Sequence, residues 1–406
     1  LFRSIQLLRN SLRFHRVVCE VIGMDYYKQF MTQYQDFADL FSFYSRATIQ
    51  SVKENGELVA GYSQTRQERL LLRDIIRLFQ CFIERVKGRE VNDSNQIDLN
   101  SVCQQTLSLI LKDYEDAPEC LKEPCCLQFS AVVLEKLKSQ NSTLTASILS
   151  SVFLSTLHLI TSNRLKYPEL TLTFFTLLSA VARYSFLSLF SFNMTELKLI
   201  VDSIIWGYLD SERRIYENSL ETMLVVMESV RACEGELRQG FYQQFWVYIV
   251  EHTLDCLTDR MHIPALPLLS QLLRLLFTIL LSQEITVPLT PSATSCFQNP
   301  VEVGKVLTNY LGEKFPQCSR QLICDYVLQL ENAPQKTEQE YRVINRDFLI
   351  QLKEITNDSV DLFADVKEEA KRQAEQEELE RRKAIPGLVG VNEIPDGYDP
   401  EDRKSV

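Results

Sequence analysis

An all-α stack of helix pairs, wound into a superhelical solenoid, is the fold class this chain predicts, and three observations predict it. Apolar residues recur at helical spacing in nearly every segment. Turn formers are scarce, with 12 glycines and 13 prolines in 406 residues, which argues against a sandwich or barrel of many short strands. The punctuation that does occur divides the chain into helix pairs with a period near 40–47 residues, the spacing of HEAT or armadillo repeats.

The pairs follow in order. The chain begins at Leu1 inside what already reads as a helix, the expectation for a piece of a longer protein. Asn55-Gly56, Asn92 to Asn95, Ala117-Pro118, Asn141, Asn163, Asn193, Gly235, Pro264, Pro288 to Pro300 and Ala333-Pro334 mark turns or loops. Between them, pairs are predicted over 25–88, 99–138, 143–188, 194–232, 235–283 and 299–331. Leu197, Ile200, Val201, Ile204 and Tyr208 line one helix face; Tyr216, Leu220, Met223, Met227 and Val230 line another. Leu269, Leu272, Leu273, Leu276 and Leu280 line a third. No such stripe can be buried alone, so the pairs must stack into an array with an inner and an outer face. Trp206, near the end of its helix, is expected in the core between neighbouring repeats.

The C-terminus changes character. HEAT-type repeats are expected over 1–355, a charged helix over 356–385 and an acidic tail over 386–406. The helix, strongest over 359–383, has a narrow apolar stripe of Phe363, Val366, Ala370 and Ala374 and i, i+4 charge pairs such as Glu368 with Arg372. A thin stripe docks weakly, which suits a switch element. The tail carries Glu393, Asp396, Asp399, Glu401 and Asp402 and cannot bury a core.

The formal net charge of −11 disfavours contact with phosphate backbones and favours basic partners. The 11 scattered cysteines, several in apolar stretches, read as reduced, buried thiols of a cytosolic or nuclear protein. No uninterrupted apolar run reaches about 18 residues; the nearest, Leu266 to Leu281, is broken by Pro267, Gln271 and Arg274. No Gly-rich phosphate loop or nucleophile elbow occurs, and His15, His158, His252 and His262 lie far apart. His252 and Cys256 share a helix face, but further zinc ligands at suitable spacing are missing. Cys120, Cys125 and Cys126 read as chance clustering near a helix start. No enzyme activity, cofactor or metal is therefore expected.

Several blocks resemble the exportin-1 family. They are Asn55-Gly-Glu-Leu-Val59, Tyr167-Pro-Glu-Leu followed by Phe174-Phe175, and Leu197-Lys-Leu-Ile-Val-Asp-Ser-Ile-Ile-Trp206. The most specific are terminal: Asp347-Phe-Leu-Ile-Gln-Leu-Lys-Glu354, Asp361-Leu-Phe363, Ile385-Pro-Gly-Leu388 and Asn392-Glu-Ile-Pro395. They fall in the order of that family's C-terminal portion. The resemblance implies a ring-like HEAT superhelix that shuttles between nucleus and cytoplasm through the nuclear pore, with nucleoporins, export-signal cargo and Ran-GTP as partners and no direct contact with nucleic acid or membrane. It implies a cargo groove outside this segment and a last helix and acidic tail that restrain that groove when Ran is absent. Here Arg403 and Lys404 follow the acidic run and reduce its negative charge. For Ran, the expected contact is the helix from Ser211 to Val230, through Glu217, Glu221 and Glu228. The rival reading is a HEAT scaffold of another cytosolic complex, such as a phosphatase; such scaffolds tend to have more regular repeats and lack an acidic tail.

Overall fold

The computed structural model describes residues 2–85, 99–138, 142–332 and 335–356. The charged helix and tail expected beyond Thr356, with Phe363, Val366, Ala370, Ala374 and the five tail carboxylates, lie outside the described residues. The described residues form α-helices joined by turns and short 3-10 segments, with no strand among them.

A leading helix, α1 (Phe2–Ile22), precedes five pairs that match the predicted divisions. These are α2 (Tyr27–Asn55) with α3 (Ser63–Arg85), α4 (Leu99–Asp116) with α5 (Pro124–Leu137), α6 (Ser142–Ser162) with α7 (Pro168–Tyr184), α8 (Met194–Tyr208) with α9 (Arg213–Ala232), and α10 (Gly235–Thr258) with α11 (Leu266–Leu281). Then come α12 (Asn299–Lys314), α13 (Arg320–Leu330) and α14 (Glu338–Thr356).

Local chemistry sets the ends. Gly56 closes α2 at φ 84°, a backbone conformation costly for other residues. Pro124 and Pro168 open α5 and α7, where a missing N–H costs nothing. Asn193 caps α8 by accepting from Glu196 N at 2.9 Å, while the Glu196 side chain accepts from Asn193 N at 3.2 Å.

The helices stack in two layers. One is a continuous file, α1, α3, α5, α7, α9 and α11, each packed on the next. At its end α14 lies along α11, where Asn345 Nδ2 donates to Ser270 Oγ at 3.0 Å and Arg274 Nε donates to Lys336 O at 2.9 Å. The other layer, α2, α4, α6, α8, α10 and α12, makes thinner contacts from repeat to repeat. A stack packed more closely on one side is expected to curve toward that side, and the file is called the inner layer on that ground. Tyrosine–threonine bridges tie the first three helices of the outer layer. Tyr34 OH lies 2.8 Å from Thr106 Oγ1, and Tyr114 OH 2.7 Å from Thr156 Oγ1. Each threonine hydroxyl already donates to the carbonyl four residues back, so each tyrosine is the donor.

One main apolar core runs through the described array, beside a small satellite of Val52, Ala60, Ala117 and Leu121. α8, α9 and α7 meet closely at Gly207, where an added Cβ would collide with Ser219 Oγ and come within 2.8 Å of Phe175 Cδ1. The core tryptophan is Trp246 on α10, fully buried, with Nε1 donating to Leu276 O at 3.3 Å. Trp206 corrects the sequence expectation: it is only half-buried, tilted against Phe175 with ring centroids 5.7 Å apart. It occupies the margin of its helix stripe, and Ile204, Ile205 and Tyr208 take the core positions.

By length and composition, Thr143–Ser162 and Arg260–Leu281 could cross a membrane, but here their apolar windows are 44% and 61% buried within the two layers.

Candidate functional site

The inner file places α9 between α7 and α11. Its apolar stripe of Tyr216, Leu220, Met223, Met227 and Val230 is buried, and Glu221 and Glu228 are exposed on the opposite side. The three expected contact residues differ in their surroundings. Glu217 is half-buried and accepts from Arg213 Nε at 2.8 Å, one turn back. Glu221 reaches across to α7, where Arg183 Nη2 donates to it at 3.2 Å. The helix therefore presents an acidic face braced by two arginines. Exposed pairs of this kind contribute only about 0–1 kcal/mol, so an incoming basic group can displace either arginine at little cost. At the end of α9, Arg231 forks onto Glu284, with Nη2 2.6 Å from Oε1 and Nε 2.9 Å from Oε2. Burial would raise the Glu284 carboxyl, but the hydrogen bonds from Arg231 and Ser282 outweigh it and lower it.

Three polar clusters that lock repeats together were not visible in the sequence. Along the edge where each pair turns, Arg164 donates to Asp210, and His262 Nε2 donates to Asp210 O at 2.7 Å. His262 Nδ1 lies 3.1 Å from Asp259 Oδ2. This chain joins the turns of three successive pairs. Across α10 and α12, Tyr310 OH and Lys314 Nζ donate to Asp255 Oδ1 at 2.7 and 2.6 Å. Burial alone would raise the Asp255 carboxyl; His252, Lys314 and Tyr310 reverse that and hold it well below the usual range. His252 thus has a carboxylate neighbour, while the buried Cys256 Sγ donates to Tyr208 O at 3.2 Å. The pair that shares a helix face is used for packing.

The third cluster lies between the first two pairs. Glu123 accepts from Arg69 Nε at 2.8 Å and Arg73 Nε at 2.5 Å, and Ser45 Oγ donates to Asp113 beside them. Burial pushes the Asp113 carboxyl up to about 6, against the opposing hydrogen bond from Ser45. An unfolded aspartate titrates near 4, so the native state holds this proton more tightly. The group's stabilising contribution is complete below about pH 4 and is lost as pH rises through about 6. Asp113→Asn should remove that slope. Urea denaturation should show the variant gaining roughly 2–3 kcal/mol on the parent between pH 4 and pH 7.

Cys120 is half-buried in its turn, Cys125 and Cys126 are buried on α5, and no cysteine of the chain forms a disulfide. Among the described residues no group of three or more His, Cys, Asp or Glu side chains is placed to hold a metal ion.

Two stacked helical layers, an exposed acidic face on the inner file and polar locks between repeats define an all-α solenoid of HEAT-like helix pairs. The comparisons agree. The family profile described as "CRM1 C terminal" matches residues 29–357. The chain is 26% identical over 396 residues to Exportin-1 of Schizosaccharomyces pombe and 28% identical over 396 residues to Protein EXPORTIN 1B of Arabidopsis thaliana. It is 24% identical over 400 residues to Exportin-1 of Drosophila melanogaster. These alignments take in 97–98% of this chain and 36% of each relative. The chain belongs to the CRM1 C-terminal family and spans about a third of the length of the curated relatives it matches.

Proposed function

We propose that this chain is the C-terminal array of a nuclear export receptor and works by binding proteins, without catalysis, cofactor or metal. The observation that carries the reading is the family match over residues 29–357, which falls on the stacked pairs. In this reading the receptor shuttles between nucleus and cytoplasm and carries export-signal cargo in a groove outside this segment, and nucleoporins are partners in transit. The inner file helps enclose Ran-GTP, with α9 contributing Glu217, Glu221 and Glu228. An acidic face on a chain of net charge −11 suits a basic protein surface.

The test is charge reversal in the complete receptor. Glu221→Lys with Glu228→Lys should slow association with the GTP form of Ran by roughly tenfold at low salt and flatten its salt dependence, with little change in dissociation. Unchanged association rates would mean that this face is the wrong one. A pull-down with the GTP and GDP forms separates this reading from a scaffold of another complex, which would ignore the nucleotide.

Helix 359–383, with Phe363, Val366, Ala370 and Ala374, and the tail carboxylates Glu393, Asp396, Asp399, Glu401 and Asp402 form the regulatory element of this proposal. A tethered polyanion competes at an effective concentration in the millimolar range, so weak charge contacts suffice. Deleting 387–406 in the complete receptor should raise cargo affinity without Ran by roughly 3–10-fold, and added salt should reproduce part of the gain. Equal affinities at low salt would make the tail passive.

A further inference from the structure

Arg183 stands at the edge of the acidic face of α9. It lies on α7, one helix back in the inner file, where its Nη2 donates to Glu221 Oε2 at 3.2 Å and its Nε donates to Ser179 Oγ at 3.2 Å. Both partners of the ion pair are open to solvent, with side chains 42% and 51% exposed. Glu228 on the same face is also exposed, and among the described residues no cation lies within ion-pair distance of it. Resting on the reading of this face as a Ran-GTP contact, we propose that Arg183 is a built-in competitor there. It occupies the place on Glu221 that a basic group of the bound protein takes, and so holds the affinity of the face below what its carboxylates would give.

The contact is one that a partner can displace. Guanidinium and carboxylate meet through one N–H and one oxygen, whereas Arg231 forks onto Glu284 through two bonds. A single exposed pair of this kind shifts an equilibrium by at most about fivefold. Ser179, one turn back on α7 and 7% exposed, steadies the guanidinium beside Glu221, so little rotamer freedom is left to lose when Nη2 pairs. Two effects then oppose an incoming cation. It must replace an existing hydrogen bond, and the released guanidinium stays beside it as a like charge. Before contact, the same pair cancels part of the negative potential that steers a basic surface toward α9.

Arg213 braces Glu217 in another way. That pair lies within α9 at i, i+4, and Glu217 is half-buried, so the pair supports the helix itself. Arg183 reaches its carboxylate from a different repeat and contributes little to α9 as a helix.

The test measures binding of the GTP form of Ran to the complete receptor at low salt, for the parent, Arg183→Gln, Glu221→Gln and the double variant. Arg183→Gln should raise affinity about 3-fold, mainly through faster association, and Glu221→Gln should lower it about 3-fold or more. In the Glu221→Gln background the gain from Arg183→Gln should largely vanish, because the group it competes for is gone. A gain that came only from the general field of the face would persist there. If Glu221→Gln weakens binding but Arg183→Gln gives no gain, or keeps most of its gain in the double variant, the competitor role is overturned and the Ran contact stands. If Glu221→Gln leaves binding unchanged, Glu221 is not part of the Ran contact and both readings of it fail.

Discussion

Trp246→Ala should lower the stability of the array by about 3–5 kcal/mol, the usual cost of deleting a fully buried large aromatic. The indole is completely enclosed, packs edge-on against Phe277 with centroids 5.9 Å apart, and gives its N–H to Leu276 O. Alanine leaves a cavity in the α10–α11 pair and removes the indole bond to Leu276 O. Chemical denaturation with tryptophan fluorescence measures the loss. Trp206→Ala is the control: half-buried against one phenylalanine, it should cost about 1–2 kcal/mol. Equal losses for the two variants would contradict the burial assigned here.

Asp74→Ala should cost about 3–5 kcal/mol, because it strands a cation inside the fold. Arg9 on α1 and Asp74 on α3 form an ion pair at 2.9 Å, with side chains only 7% and 5% exposed. Gln67 Oε1 accepts a second bond from Arg9 at 2.8 Å but carries no charge. Arg13 Nε, 3.4 Å from the same carboxylate, is half-exposed and can turn to water. The double variant Arg9→Met with Asp74→Leu removes both charges and should recover most of the loss, since a buried pair contributes little over a well-packed apolar one. Urea denaturation of the two variants gives the comparison. If the double variant were as unstable as Asp74→Ala, the penalty would lie in packing and not in the unpaired charge.

The ion pair Arg9–Asp74 joins residues 65 positions apart, and nothing in the local sequence of either marks the other. The same holds for Asp255 with Lys314, and for Arg164, Asp210 and His262. Such partners are chosen by the register in which one repeat stacks on the next. The acidic face of α9 was legible as three glutamates on a helix, but its arginine brace was only half so. Arg213 lies one turn from Glu217, whereas Arg183 reaches Glu221 from another repeat.

What the sequence determined by itself was the helical array: fourteen helices among the described residues, with the divisions at Gly56, Pro118, Asn163, Asn193 and Gly235. The signals are local, because apolar spacing, caps and proline at helix starts act within one or two turns. Tertiary structure alone decided which tryptophan is core. Trp246 stands in a run of Phe245, Val247, Tyr248, Ile249 and Val250 that is apolar on every side of α10, so no single stripe singles it out. Only the contact with α11 selects the face that is sealed from water. Packing likewise set α14 against α11 and made the odd-numbered file the inner layer, since those outcomes depend on how closely successive helices approach, a property of the stack and not of any one segment.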